Sequence, residues 1–362
     1  MGFSPWSSTS DLRSRCVSGP TPAGPETRTM TGASDPEPKL GASSGVQPRF
    51  GAITAEPGVA RRAGWIPITR PKRGEQLAGL LTIAPAFVLI LALTLYPVAY
   101  SIWLSLLEKH SFFPQERFVG LENYFYLSKD PEFWTSLWLG VVYSIWTIVF
   151  QLILGVAAAL LLNQSFMGRG LVRGIVLFPY MIPTIVAVIL WKWLLNDMYG
   201  IVNYWLLALG IVRDPISWLG ADQIMLSTII MSVWQFFPFV LLSILARLQT
   251  IPEALYEAAK VDGASAFRRF VHITLPQIQG ILFVVILLRS IWMFTKFDTV
   301  WLMGEGAGAG RFIRTLPVYA YMRTLTYYQA GLGAALAVIM FAILVVCTVI
   351  YFGLFREEAD IG

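Results

Sequence analysis

Charged residues are scarce in this sequence: Asp, Glu, Lys and Arg make up 14% of its 362 residues. An ordinary soluble domain averages roughly a quarter charged residues. Hydrophobic residues make up 56%, which is more apolar surface than one core in water can bury, so the composition predicts a membrane protein. The net charge of +5 is modest and the basic residues form no long stripe, which argues against nucleic-acid binding.

Groups that bind metals or carry catalysis are also few. The two cysteines, Cys16 and Cys347, lie far apart in sequence, so neither a disulfide framework nor a Cys-rich metal site can be built from them. The two histidines, His110 and His272, fall in separate polar segments and are predicted to be surface residues. The apolar segments hold no paired carboxylates and no histidine cluster, which argues against a membrane enzyme. No Gly-x-x-x-x-Gly-Lys-Ser/Thr loop occurs, so this chain is not expected to bind ATP itself.

Residues 1–76 differ in composition from the rest of the chain. They hold 10 of the 21 prolines and no sustained apolar period. Such a segment cannot bury enough surface to offset its ordering entropy, so it is predicted to be a disordered cytoplasmic tail. It lacks the compact apolar core of a signal peptide. The first apolar segment after it is therefore expected to act as the insertion signal.

Long apolar runs begin at residue 77. Crossing about 30 Å of hydrocarbon requires about 20 helical residues, and six runs are long enough: 77–107, 134–162, 174–195, 223–247, 279–303 and 330–355. The prolines inside them are compatible with membrane helices, because neighbouring helices can satisfy the freed backbone groups. The sequence predicts an all-α integral membrane protein with six transmembrane helices over 77–356, followed by a short tail at 357–362.

The flanking basic residues predict the orientation. If the N-terminus is cytoplasmic, the inside segments hold 12 Lys and Arg residues and the outside loops hold 7. Because cytoplasmic loops are enriched in Lys and Arg, the bias favours both termini on the cytoplasmic side.

A segment at 251–276, between the fourth and fifth runs, has an unusual pattern. It is predicted to form an amphipathic helix over 252–261, a turn at Asp262-Gly263, and a second short helix that stops before Pro276. Gly263 supplies the backbone freedom for a sharp reversal. Ala258 and Ala259 form a small, flat face that another protein could contact closely, and Glu257 adds a charge. The alternative interpretation is an ordinary amphipathic loop.

The spacing of this segment resembles the signature loop of permease subunits of ATP-binding-cassette (ABC) importers. That loop reads Glu-Ala-Ala, three residues, Gly, nine residues, Ile-x-Leu-Pro, and it is matched here by Glu257, Ala258, Ala259, Gly263, Ile273, Leu275 and Pro276. Asp262 is typical of the sugar-permease branch. The resemblance covers about 75–356 and is closest to the maltose-type first permease subunit. One departure is the glycine-rich 304–310, where the family usually has Thr-x-Gly-Gly-Pro.

The resemblance implies a multi-pass permease of the bacterial inner membrane that carries a sugar or sugar-like solute by alternating access. ATP and Mg would be bound and hydrolysed on a partner ATPase, so this subunit would not itself be an enzyme. The loop at 251–276 would dock on that ATPase, with Glu257 and Gly263 central to the contact. The implied partners are a second permease subunit in a heterodimer, a dimer of ATP-binding subunits and an extracytoplasmic solute-binding protein.

One face of the fifth run suggests where a solute binds. Arg289, Trp292, Met293 and Lys296 follow the i, i+3, i+4, i+7 spacing of one helix face, and charges inside spans usually face a cavity or a partner. Cations beside a large aromatic ring suit a polyhydroxylated ligand, because hydroxyls accept from the cations and sugar C–H faces stack on Trp. The alternative is that this face is a seam, that is, a contact surface with the second permease subunit.

Carried over by position, the solute-lining residues of maltose-type permeases give a larger candidate set. They are Tyr180, Thr184, Ser232, Gln235, Phe236, Phe239, Arg289, Trp292, Met293 and Lys296. Family amides are replaced at Ser232, Met293 and Lys296, which disfavours maltose itself, and two cations leave a phosphorylated polyol open as cargo. A stand-alone secondary transporter is the alternative from another class. The loop spacing and the lack of a buried proton-relay chain argue against it.

Overall fold

The computed structural model describes residues 73–305 and 308–354, with side chains from residue 81 onward. The predicted tail lies outside the described residues up to position 72, and the predicted C-terminal segment 357–362 lies outside them entirely. The first helix begins at Arg73, slightly before the expected boundary at 76. Most of the described chain is helical, as an apolar chain without water to satisfy its backbone requires.

Thirteen α-helices are present in the described residues. In chain order they are α1 (Arg73–Ser105), α2 (Glu122–Lys129), α3 (Pro131–Asn163), α4 (Arg169–Met181), α5 (Thr184–Leu194), α6 (Ile201–Ala208), α7 (Ile224–Leu248), α8 (Glu253–Val261), α9 (Ala266–Arg269), α10 (Leu275–Phe294), α11 (Asp298–Gly304), α12 (Leu316–Tyr321) and α13 (Ala330–Leu354). Two π-helical turns cover Phe270–Thr274 and Met322–Thr326, and a 3-10 turn covers Gly310–Ile313. Strands β1 (Leu107–Lys109) and β2 (Glu116–Phe118) form a short antiparallel pair in which Leu107 faces Phe118.

Five helical stretches in the described residues are long and apolar enough to cross a membrane. They are Leu81–Ser105 of α1, α3, α7, Ala266–Phe294 and α13. The expected third span, 174–195, is instead the pair α4 and α5, bent by 99° at the break between them, and it gives a sixth span only if the pair is counted as one. Pro183 explains the break: it lacks an N–H and forces its predecessor out of the helical region. Ile182 is accordingly extended, with ψ 132°.

The expected helix stop before Pro276 is wrong. Helix α9, the π turn and α10 follow one another without interruption, so the second helix of the loop runs directly into a span. Pro276 is the second residue of α10 but lies inside the continuous stretch, where its missing N–H leaves a backbone carbonyl without its usual partner. Just before it, the N–H of Leu275 donates to the carbonyl of Phe270, five residues back. A π turn of this kind re-pairs the backbone around a proline.

The expected fifth span, 279–303, is likewise not one helix. Helix α10 ends at Phe294, residues 295–297 are not helical, and α11 begins at Asp298. The hydroxyl of Thr295 donates to the carbonyl of Ile291 at 2.8 Å, a side-chain bond that competes with the backbone ladder. Lys296 lies within the break, and Asp298 is the first residue after it.

Helix α7 occupies the centre of the bundle and packs against α3, α4, α5, α10 and α11. Its approach to α3 is close at Gly155, where an added Cβ would lie 2.6 Å from the side chain of Val240. Small residues let membrane helices approach in this way. Helix α1 packs along α13 at the edge of the bundle and leaves large apolar side chains exposed, as a helix facing lipid or a partner helix would.

An ion pair joins the start of α3 to the segment before α13. Arg323 Nη2 donates to Asp130 Oδ2 at 2.8 Å, and Tyr319 also donates its hydroxyl to that oxygen. Arg323 further bonds Tyr319 and Gln329. Burial alone would raise the pKa of the Asp130 carboxyl, but the bonds from Tyr319 and the Glu132 N–H, with the Arg323 charge, hold that pKa below its ordinary value.

Candidate solute cavity and coupling loop

A cavity of about 410 Å³ opens beside α4, α7 and α10. Its walls are Tyr180, Phe236, Arg289, Trp292, Met293, Thr295, Lys296, Phe297 and Asp298. All four residues of the face predicted from helical spacing are among them. Since α10 ends at Phe294, Lys296 reaches the cavity from the non-helical break and not from the helix itself.

Six of the ten residues in the larger candidate set line this cavity, and four do not. Phe239 lies behind its wall, with its ring centroid 5.1 Å from that of Trp292. Ser232 is buried, with its hydroxyl 2.8 Å from that of Tyr143. Gln235 is buried and donates to the carbonyl of Ile182 at 3.0 Å. Thr184 is half-buried at the first residue of α5.

Aromatic rings form one wall of the cavity. The ring of Tyr180 lies 6.4 Å from the ring centroids of both Phe236 and Phe239, and Trp292 packs edge-on against Phe239. Tyr180 and Trp292 are 40% and 41% exposed, so both rings keep a free surface on which a ligand can stack.

Arg289 is the central polar residue of the site. It is only 2% exposed, and its guanidinium carbon lies 5.3 Å from the ring centroid of Phe236 and 5.8 Å from that of Trp292. Its Nε donates to Gln151 at 2.7 Å, and its Nη2 lies 3.5 Å from the sulfur of Met293. In the described part of the chain it forms no ion pair with a carboxylate.

Lys296, the second cation, is neutralised within the site. Its Nζ lies 2.9 Å from a carboxylate oxygen of Asp298 and 4.4 Å from the ring centroid of Phe236. The cavity therefore holds one compensated cation and one uncompensated cation. This separation of the two charges was not visible from helical spacing.

Gln151 is a functional candidate that the sequence analysis missed. It lies fully buried on α3, accepts from Arg289, and donates to the carbonyl of Ser232 at 3.1 Å. Its amide thus connects α3, α7 and α10 behind the cavity. The sequence did contain a signal for Gln151. A lone amide in a long apolar run is costly in a membrane, so such a residue is a functional candidate by default.

The loop at 251–276 presents two faces of α8. Glu257 and Ala258 are exposed on one side, Ala259 is half-buried, and Asp262 caps the helix end. Gly263 adopts φ +72°, and a Cβ added there would meet no atom within 4 Å, so backbone conformation alone favours glycine at this position. The predicted turn at 262–263 is therefore in place.

The remaining predicted loop residues lie on the second helix. Ile273 is half-buried in the π turn, and Leu275 and Pro276 are exposed at the start of α10. The hydroxyl of Tyr256 lies 3.0 Å from that of Thr274, which ties α8 to the helix that carries Arg289. The loop and the cavity are thus at two ends of one continuous helical stretch.

Comparison with known proteins identifies the family. The model of the family described as "Binding-protein-dependent transport system inner membrane component" matches residues 151–357. The chain belongs to this family. It is a multi-pass inner-membrane permease of the sugar ABC importer type, as its signature loop predicted.

Sequence similarity to known sugar permeases agrees with this family assignment. It is 36% identical over 293 residues to the trehalose/maltose transport system permease protein MalF of Thermococcus litoralis, covering 80% of this chain and 97% of the relative. It is 32% identical over 296 residues to the trehalose transport system permease protein SugA of Mycobacterium tuberculosis, covering 81% and 94%.

A solved structure shares the fold of the permease. A chain of a bacterial alginate ABC transporter, crystallised with an alginate pentasaccharide-bound periplasmic protein, matches with a TM-score of 0.71 at 19% identity, over 80% of this chain and 97% of that one. The helical membrane fold expected from the sequence is therefore the fold of an ABC importer permease.

Proposed function

We propose that this permease carries a neutral sugar or sugar-like solute into the cytoplasm by alternating access, driven by ATP hydrolysis on a partner subunit. The observation that carries the proposal is the cavity in which Arg289 and Trp292 lie side by side. Its volume of about 410 Å³ falls within the range of about 300–1,000 Å³ typical of small-molecule sites. The named relatives that transport trehalose or maltose support the same class of cargo.

The chemistry of the cavity walls suits a polyhydroxylated ligand. Arg289 Nη1 makes no hydrogen bond in the described part of the chain, so it is available to donate to a hydroxyl. Trp292 and Tyr180 offer partly exposed rings for the C–H faces of a sugar ring. Aromatic faces with a few placed polar groups are the usual composition of such sites.

The charge balance favours a neutral solute over a phosphorylated polyol. Lys296 is paired with Asp298, and only Arg289 keeps an uncompensated charge. A phosphate carries close to two negative charges at neutral pH, which one guanidinium does not balance. A neutral saccharide with hydroxyl acceptors requires no second cation.

We further propose that a second permease subunit completes the cavity, and that the two interpretations of the α10 face, cavity and seam, describe neighbouring parts of one surface. Trp292 and Tyr180 are exposed at the open side of the cavity, where a partner helix would close the wall. A heterodimer is the proposed arrangement, with an extracytoplasmic solute-binding protein delivering the sugar.

The exposed face of α8 supports the proposed contact with the ATPase. Glu257 and Ala258 leave a small, flat, charged surface, and the turn at Gly263 sets the angle between α8 and the helix leading to the cavity. In this proposal both termini are cytoplasmic, and ATP and Mg bind the dimer of ATP-binding subunits. Movement of α8 is then transmitted to the cavity along the stretch Ala266–Phe294.

A competition experiment tests the cargo. The permease is reconstituted with its partner subunits, and the solute-binding protein is screened against a sugar panel that begins with trehalose and maltose. Uptake of the labelled sugar is then measured with unlabelled neutral sugars or a phosphorylated polyol as competitors. Competition by neutral sugars alone is expected, and competition by the phosphorylated polyol alone would reverse the assignment.

A further inference from the structure

A second and larger cavity lies at the other end of the bundle from the ion pair of Asp130. This groove has a volume of about 970 Å³ and lies between the end of α3, the end of α7, and the inward face of α8 with the start of the next helix. Its walls include the apolar Leu248 and Phe270, the polar Asn163, and the charged Glu253, Lys260 and Arg269.

The groove lies at the ends of three stretches that are long enough to cross a membrane. It is formed where two spans, α3 and α7, end and where the span Ala266–Phe294 begins. That last stretch has 29 residues, or about 43 Å of helix, which exceeds the hydrocarbon thickness of about 30 Å. The stretch is therefore long enough for its first turns, which carry Arg269, to reach the region of lipid headgroups.

Positive charge exceeds negative charge on the described walls of the groove. Neither Lys260 nor Arg269 forms an ion pair with a carboxylate among the described residues. Arg269 donates one bond through Nη1, to the carbonyl of Ala264 at 3.3 Å. Among the described residues, Glu253 is the one acidic residue on the walls, so two cations face one anion beside an apolar floor.

We propose that this groove binds the headgroup of an anionic phospholipid of the cytoplasmic leaflet, with Lys260 and Arg269 contacting its phosphate. Basic pockets between membrane helices on the cytoplasmic side suit anionic headgroups, and Leu248 and Phe270 supply apolar contact for the glycerol and first acyl carbons. The lipid lies under the face of α8 that carries Glu253 and Lys260. Glu257, four residues after Glu253, borders this face. The opposite side of α8, with Leu255 and Ala258 exposed, stays free for the ATPase.

The bound lipid would support α8, the helix proposed to contact the ATPase, on its membrane side. Tyr256 and Lys260, one turn apart on α8, both line the groove, and Tyr256 also reaches Thr274 of the π turn. A headgroup held between Lys260 and Arg269 would therefore join α8 to the same helix by a second, charge-based contact. The inference is independent of which sugar is carried.

Native mass spectrometry of the full chain in detergent tests the site directly. The probes are palmitoyl-oleoyl phosphatidylglycerol and the phosphatidylcholine with the same acyl chains. Wild type is expected to retain phosphatidylglycerol preferentially. Lys260→Gln and Arg269→Gln are each expected to lower that retention about fivefold, the effect of one basic residue near an anionic headgroup.

Arg268→Gln is the matched control. It removes the same charge from the neighbouring position, but Arg268 is exposed and does not line the groove. Its phosphatidylglycerol retention is expected to equal that of wild type. Circular dichroism and gel filtration check folding. Lys260→Gln keeps the test valid if Arg269→Gln misfolds, because the Lys260 side chain makes no hydrogen bond among the described residues, while its backbone carbonyl accepts from the N–H of Gly263.

Three results would overturn the assignment. An equal loss in Arg268→Gln would mean that general surface charge, and not the groove, attracts the lipid. Equal retention of the two lipids by wild type would remove the headgroup preference. Displacement of phosphatidylglycerol by millimolar inorganic phosphate would make the groove a site for free anions.

Discussion

Nε of Arg289 on α10 donates to Oε1 of Gln151 on α3 at 2.7 Å, in the buried interior of the bundle. The acceptor is a neutral amide, so this bond fixes the orientation of the Arg289 guanidinium without neutralising its positive charge. In a membrane helix such a charge is expensive and marks a solute pathway by default. Gln151 is thereby a positioning residue for the proposed sugar contact.

Gln151→Leu tests this relationship. The variant leaves the Arg289 guanidinium without its acceptor. Hydrogen bonds to charged groups contribute about 1.5–3 kcal/mol. The half-saturating sugar concentration for uptake should therefore rise about tenfold or more. The matched control is Thr147→Val. Thr147 lies one turn earlier on α3, is equally buried, and its hydroxyl has no partner in the described structure. An equal change in both variants would reduce Gln151 to a packing role.

Trp292→Ala tests whether Trp292 contacts the sugar or the second permease subunit. Loss of the ring should weaken uptake while the purified complex keeps its subunits, because the ring is proposed to contact sugar. Trp193→Ala is the control, since Trp193 is also exposed but lies on α5 away from this cavity. Dissociation of the permease pair in Trp292→Ala, seen by gel filtration, would show that the residue serves the subunit contact.

Gly263→Leu tests the coupling turn. At φ +72° an L-residue is strained by about 1–2 kcal/mol, although no atom blocks the added side chain. Uptake and sugar-stimulated ATPase activity should be lost while membrane insertion persists. Gly280→Leu adds the same bulk on α10, also in open space but without a positive φ. Normal uptake in Gly263→Leu would place the coupling contact elsewhere.

The pair Asp130–Arg323 predicts a pH dependence of stability. Because the folded pKa of Asp130 is lowered, its stabilising effect is fully present above the unfolded value of about 3.9 and is lost as pH falls through the folded pKa. Asp130→Asn should therefore melt below wild type at pH 7, and the difference should shrink below about pH 4. A constant difference down to pH 2 would show that the charge of Asp130 is not involved.

The sequence predicted the features that depend on local pattern. The turn at Gly263 and the shared face of Arg289 and Trp292 follow from residue type and helical spacing, and the structure has both. The break at Pro183 was a local signal too, but membrane helices tolerate prolines often enough that its 99° bend could not be read from the residue itself.

Features set by contacts between distant segments could not be predicted. The stop at Phe294 moved Lys296 off the helix, and its pairing with Asp298 changed the charge of the cavity. Gln151 acquires its role only when α3 packs beside α10, 138 positions along the chain from Arg289. The helix through Pro276 depended on a π turn, which residue propensities do not indicate.

ATP-driven uptake by reconstituted proteoliposomes tests directly whether this permease is a subunit of an ATP-driven sugar importer. The permease is assembled with its partner permease, ATP-binding subunits and solute-binding protein, and accumulation of the labelled sugar is followed with and without ATP and the ATP-binding subunits. We expect accumulation only when both ATP and the ATP-binding subunits are present. Accumulation by the permease without the ATP-binding subunits would contradict this expectation and establish a secondary transporter.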